Sequence, residues 1–191
     1  MKLLFCTQND HKLAEIKALF QREIELISLN DLHFQKEIVE SGATLEENSL
    51  IKARIIYNEF KIPCFADDSG LEVNALNGAP GVFSARYAGD SKDDQLNIEK
   101  LLKELDGKRD RLAQFRTIIT YMHADGYEQF EGTVIGEILL EKMGDKGFGY
   151  DPIFRPLKSN LSFGQMTMEE KNCFSHRKLA MQKFINFLAI K

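Results

Sequence analysis

The sequence predicts an α/β fold arranged as one chain-wide unit around a mixed sheet, and three observations point there. Short apolar strand-like segments alternate with segments of helical spacing, two neighbouring strand-like runs near the middle are joined only by a turn, and no internal repeat, low-complexity tract or linker divides residues 1–191.

Taken in order, KLLFC opens the chain as a short apolar strand and breaks at TQND into a segment where Leu13, Ile16, Leu19 and Phe20 recur at helical spacing. ELISL predicts a second strand. Thr44, with Glu47 three residues on, is a capping-box signature for a long helix over LEENSLIKARIIYNEF, whose Lys52 and Arg54 are candidates for one end of a pocket. IPCFADDSGLEV reads as a strand that the adjacent Asp67 and Asp68 interrupt or end, and NGAPGVFSARYAG as a loop punctuated by glycine and proline. Ser91 is placed to cap a helix over DDQLNIEKLLKEL, with Leu101, Leu102 and Leu105 on its buried side. Residues 115–122 and 130–140 pattern as strands joined by HADGY, which predicts an antiparallel hairpin. GFGYDPIF is a glycine-marked loop entering a further strand, and the chain closes with TMEEKN and a helix through RKLAMQKFINFL.

Composition excludes several classes of function. A chain of 191 residues, 43% hydrophobic and 28% charged, can bury a full core, and no tract is polar enough to stay unfolded. The formal charge of -4 argues against a general nucleic-acid binder, so any anion site must be local. Cys6, Cys64 and Cys173 are odd in number and lack CxxC spacing, which supports neither zinc nor a disulfide framework and suits a reducing cytoplasm. The opening apolar run is too short for a secretory signal, and no segment approaches the ~18 apolar residues of a membrane span.

Five stretches carry candidate chemistry, each with an ordinary reading beside it. TQNDHK (Thr7, Gln8, Asn9, Asp10, His11, Lys12) lies between a strand end and a helix start, where hydroxyl, amide and backbone N–H groups can hold phosphate; Asn9 and Asp10 also read as plain N-caps. Glu40 in VESGAT and the pair in ADDSG offer hard oxygen ligands suited to Mg²⁺, whose charge would cancel the repulsion between neighbouring aspartates; the ordinary reading is a solvated Asx turn. GFGYD (Phe148, Gly149, Tyr150, Asp151) sets an aromatic on a glycine loop that can stack on a base, or is a bulged strand entry. EEKNCFSHR gathers Lys171, His176 and Arg177, a trio that could equally form surface salt bridges with Glu169 and Glu170. No Walker loop, GxGxxG, HExxH, GxSxG or complete calcium loop is present.

In order and spacing, ESGATLEENSLIKAR, ADDSGLEVNALNGAPGVFSARYAG, GFGYDPIF and EEKNCFSHR resemble the inosine triphosphate pyrophosphatase family, the XTP/dITP diphosphatases, nearly end to end. Gln8 stands where that family has a glycine, and Leu45 and Ser49 replace its commoner residues; these changes bear on packing more than on chemistry. The resemblance implies a two-lobed α/β fold around a long mixed sheet, a substrate cleft between the lobes, and a homodimer. It implies Mg²⁺-dependent hydrolysis of ITP, dITP or XTP to the monophosphate and pyrophosphate. Residue by residue, Thr7 to Lys12 and Lys52 would hold the triphosphate, with Ser69 also touching substrate; Glu40 and Asp68 would bind magnesium. Asp68 would be the proton acceptor, Asp67 would support it, and Phe148, Gly149, Tyr150, Asp151, Lys171, His176 and Arg177 would bind the base. Arg86 is a weaker phosphate candidate. The implied partner is a small-molecule nucleotide, with neither nucleic acid nor membrane. A hydrolase of pyrimidine or modified nucleotides, and a non-catalytic nucleotide-binding module, are the competing assignments.

Overall fold

The computed structural model describes residues 2–17 and 25–190. Leu19 and Phe20, expected on the first helix, lie outside the described residues. Six strands are hydrogen-bonded into one sheet in the order β2-β1-β3-β4-β5-β6: β1 Lys2–Phe5, β2 Glu25–Ser28, β3 Cys64–Val73, β4 Leu112–His123, β5 Gly126–Ile138 and β6 Phe154–Pro156. β1 pairs parallel with β2 and β3, while β5 pairs antiparallel with β6. Only Ala124 and Asp125 separate β4 from β5, a connection short enough for an antiparallel hairpin alone. The sheet is mixed, as expected. Helices are α1 Asp10–Lys17, α2 Leu45–Phe60, α3 Asp94–Glu104, α4 Met168–Asn172 and α5 His176–Ile190.

The chain divides into two compact units, one of Met1–Asp68, Thr117–Gly132 and Arg177–Lys191, the other of Ser69–Arg116 and Thr133–His176. In the first unit, strand alternation sorts side chains onto two sheet faces. Leu3, Phe5, Phe65, Ile119 and Tyr121 bury against Ile16 of α1 and Ala180, Met181 and Phe184 of α5. Leu4, Cys6, Cys64, Ala66 and Met122 bury instead against Ala53 and Ile56 of α2. Phe5 and Phe65 stack with centroids 4.5 Å apart, which fixes β3 beside β1. The second unit packs Leu71, Val73, Phe115, Ile138 and Phe154 of the strands against Ile98 and Leu101 of α3 and Leu105 just beyond it.

Local chemistry explains most element ends. Thr44 accepts the Glu47 N–H at 3.1 Å and starts α2 as expected, but the Glu47 carboxylate reaches the Ala43 N–H at 2.6 Å rather than that of Thr44. At the other end Lys61 turns left-handed and returns its N–H to Tyr57 O. The cap of α3 is Asp93, which accepts from Leu96 N, and not Ser91; Lys92 takes a positive φ between them, so the chain turns once more before the helix begins. Ser49 is fully buried, its hydroxyl 3.0 Å from Ala66 O and 2.7 Å from Thr120 Oγ1, a packing role within the first unit.

One strand expectation needs correction. β3 runs unbroken from Cys64 to Val73, straight through both aspartates. Their charges are matched by side chains from distant segments, which removes the penalty that isolated carboxylates would impose on a buried strand.

Candidate active site

Alternation along β3 sends Asp67 and Asp68 to opposite faces, and each carboxylate meets its own cations. Asp67 shares the face of Phe65. Its Oδ2 lies 2.9 Å from Lys12 Nζ of α1 and 3.4 Å from Arg177 Nε of α5. Burial alone would raise the Asp67 carboxyl, but Lys12, Arg177 and Lys52 outweigh it and hold the group well below the usual carboxylate range. Arg177 is buried and also donates through Nη1 to Glu15 of α1; burial opposes its charge, and Glu15 and Asp67 more than reverse that.

Asp68 faces α2. Lys52 Nζ stands 2.9 Å from Asp68 Oδ1 and 3.0 Å from Glu40 Oε1, so three segments converge on one ammonium. Burial pulls that ammonium down in pKa, yet Asp68, Glu40 and Asp67 together leave it raised. Burial pushes the Asp68 carboxyl upward, more than Lys52 and Lys12 draw it back, and Glu40 adds to the rise. The Glu40 loop is pinned to the first turns of α2: Gly42 N donates to Asn48 Oδ1 at 2.8 Å, and a Cβ on Gly42 would stand 2.7 Å from that same oxygen. Arg54 is exposed and takes no part.

The 7–12 stretch is both cap and loop. Asn9 Oδ1 accepts Lys12 N at 3.1 Å and caps α1, while Thr7 Oγ1 accepts Asn9 N at 3.1 Å. Gln8, in the position where glycine was expected, anchors the loop by donating to Phe34 O at 2.9 Å. Asp10 accepts from Asn30 Nδ2 at 3.4 Å, and His11 is exposed. Ser69 follows Asp68 on β3, half-buried.

In the second unit, Asp151 is the organiser. Its Oδ2 accepts from Phe148 N at 2.9 Å and from Lys171 Nζ at 2.7 Å. Lys171 also lies 5.0 Å from the Phe148 ring centre, a cation–π contact. Positive φ at Gly147 and Gly149 gives the tight loop, and Gly149 N donates to Asp94 Oδ2 at 2.6 Å. Tyr150 donates to Ser84 O at 2.9 Å, and the His176 ring stacks on Phe115 at 4.8 Å. Arg86 lies over the Phe83 ring at 5.6 Å. Lys171 and Arg177 therefore pair with Asp151, Asp67 and Glu15, not with the adjacent Glu169 and Glu170 suggested by sequence proximity.

Sequence reasoning missed Glu15, Asn48 and Asp94. Glu15 lies three positions after Lys12 and is buried on α1, a spacing that a helix-face argument could have flagged. Nothing local marks Asn48 or Asp94. Among the described residues no three His, Cys, Asp or Glu side chains are grouped to hold a metal ion. A shallow cavity of about 360 Å³ in the second unit, bordered by Arg111, Glu137, Leu140 and Arg155, contains none of the residues singled out from sequence.

Fold and site together describe an α/β protein that sets a buried lysine, a half-buried lysine and a buried arginine against carboxylates at the middle of a long strand. The Ham1 family model matches residues 3–187, and the chain belongs to the Ham1 family. The dITP/XTP pyrophosphatase of Christiangramia forsetii is 49% identical over 189 residues, covering 99% of this chain and 100% of that protein. The Ham1 protein structure of Staphylococcus aureus superposes with a TM-score of 0.91 at 40% identity, covering 99% of this chain and 98% of that one. A HAM1 protein structure from Coxiella burnetii gives 0.92 at 37% identity over the full length of both chains.

Proposed function

We propose that this chain is a nucleoside triphosphate pyrophosphatase that converts ITP, dITP and XTP to the monophosphate and pyrophosphate, with residues 1–191 acting as one domain. Near full-length similarity to proteins named dITP/XTP pyrophosphatase supports the activity. The observation that carries it to particular residues is the convergence of Glu40, Lys52 and Asp68.

Two carboxylate oxygens already gathered around an ammonium fit a hard divalent cation, and Mg²⁺ characteristically takes one or two carboxylates and completes its shell with water and phosphate. Glu40 and Asp68 are the ligands assigned. When bound, Mg²⁺ would neutralise phosphate charge and lower the pKa of the attacking water. Asp68 accepts the proton of the water that attacks the α-phosphorus. Lys12, Lys52 and the 7–11 loop at the start of α1 bind phosphate oxygens, with Ser69 beside them, and stabilise charge as it develops. Asp67 keeps Lys12 in place.

Base selection is assigned to Phe148, Gly149, Tyr150, Asp151, Lys171, His176 and Arg177. Donors there favour the 6-keto acceptor of hypoxanthine and xanthine over the 6-amino donor of adenine, and each mispaired buried polar group costs about 1–3 kcal/mol. A homodimer in the cytoplasm completes the proposal. Free thiols at Cys6, Cys64 and Cys173 suit a reducing compartment, and the net charge of -4 suits a small nucleotide better than nucleic acid as partner. No helix among the described residues is long and apolar enough to cross a membrane.

The test is Asp68→Asn. Pyrophosphate release from ITP should fall by about 10²–10⁴-fold, the usual worth of a general base, with circular dichroism unchanged. Release at the wild-type rate would remove Asp68 from the mechanism. A panel of nucleoside triphosphates, each with and without Mg²⁺, checks the purine assignment in the same assay.

A further inference from the structure

The assignment of Glu40 and Asp68 as metal ligands leaves a question about the residue between them. Lys52 Nζ is 3.0 Å from Glu40 Oε1 and 2.9 Å from Asp68 Oδ1, so it stands where those oxygens would meet a divalent ion. Mg²⁺ binds oxygen at about 2.0–2.1 Å, appreciably closer than an ammonium does. A carboxylate oxygen has room for both, but an ammonium packed against these two oxygens sets its own charge against an incoming divalent ion, so the two cations compete.

We propose that Lys52 is the resident counter-cation of the site: it holds Glu40 and Asp68 together, competes with the divalent ion for the same oxygens, and on displacement delivers its ammonium to the nucleotide phosphate. This rests on the metal-ligand reading above and goes beyond it.

Three features support the exchange. Two carboxylates converging on one point, Asp68 buried and Glu40 half-buried, repel each other, and a cation between them lowers that cost. The backbone of Lys52 is fixed, because α2 is capped at both ends and packs through Ala53 and Ile56. Only the four-carbon stem can move, and lysine is a compact charge on a flexible stem where arginine would be a rigid fork. Lys12 and Arg177, by contrast, are engaged with Asp67 on the other face of β3.

Exchange has a thermodynamic signature. A metal ion arriving alone must strip the ammonium of its partners, whereas one arriving with a triphosphate gives the ammonium a new anion. Metal and nucleotide therefore bind with positive coupling, and by linkage each strengthens the other equally. Removing Lys52 has opposite effects on the two quantities: metal alone binds more tightly, and the coupling shrinks.

The experiment is a titration of free Mn²⁺ by electron paramagnetic resonance with the full chain, with and without the α,β-methylene analogue of ITP. Lys52→Met should tighten Mn²⁺ binding in the absence of nucleotide by roughly tenfold, within the usual 5–150-fold range of such coupling, and Lys12→Met should change it far less. The analogue should tighten Mn²⁺ binding clearly in the wild type and little in Lys52→Met. Glu40→Gln and Asp68→Asn separate the two layers. If they leave Mn²⁺ binding intact, the ligand assignment fails and the inference with it; if they weaken it while Lys52→Met binds no more tightly than wild type, the inference alone is overturned. Should Lys52→Met be unfolded without metal, recovery of its circular dichroism on adding Mn²⁺ supports the exchange, and failure to recover at millimolar Mn²⁺ refutes it.

Discussion

Arg177→Met tests how much of the site is held by buried charge. Arg177 is 1% exposed, donates to Glu15, and reaches Asp67 at 3.4 Å. Methionine keeps an unbranched apolar stem but leaves Glu15 without its guanidinium, while Asp67 keeps Lys12 at 2.9 Å. Removing one partner of a buried pair costs about 3–5 kcal/mol, because the remaining charge stays desolvated. At the roughly 2–4 °C per kcal/mol that applies to chains of this size, Tm should drop by about 6–20 °C. Urea denaturation followed by circular dichroism, without nucleotide, measures the loss. The double variant Glu15→Leu, Arg177→Met should recover much of it, since an apolar pair replaces the buried ion pair. A single variant within about 1 kcal/mol of wild type, or a double variant no better than the single, would refute the account, the first outcome falling below the cost expected of breaking a buried ion pair. The first outcome would leave Arg177 only the base-binding role proposed for it above.

Asp67 supplies a pH test. Its folded pKa is depressed, so its contribution to stability is complete above the unfolded value near 3.9 and is lost as pH falls toward the folded value. The stability gap between wild type and Asp67→Asn should be largest above about pH 5 and close progressively below about pH 4; urea midpoints across that range check it, and a constant gap contradicts it. His176→Ala should lower the ratio of kcat/KM for ITP over ATP, by roughly the tenfold that one misplaced hydrogen bond of about 1.4 kcal/mol represents. An unchanged ratio would confine His176 to its stack on Phe115.

How much of this was legible depended on how local each determinant is. The start of α2 was readable because Thr44 and Glu47 act within one turn. The hairpin was readable because two strand-like runs flank one short turn, although β5 begins at Gly126 and ends at Ile138, where 130–140 was expected. Ser91 and Asp93 are both good caps, and only the backbone turn at Lys92 decides for Asp93. The unbroken course of β3 was illegible for a different reason: Asp67 is made tolerable by Arg177, 110 positions away, and no window of sequence contains both. The site residues were recoverable as separate stretches from their chemistry, but the division of Asp67 and Asp68 between two sets of cations follows from the strand's alternation, which the expected break at that point concealed.

That alternation makes the spacing of β3 indivisible. One residue inserted between Phe65 and Asp67 would turn each carboxylate toward the other's cations and carry a charge into an apolar layer, with every residue type still present. The chemistry of this stretch is written in parity as much as in identity, and a shift of a single peptide would erase it without substituting any side chain.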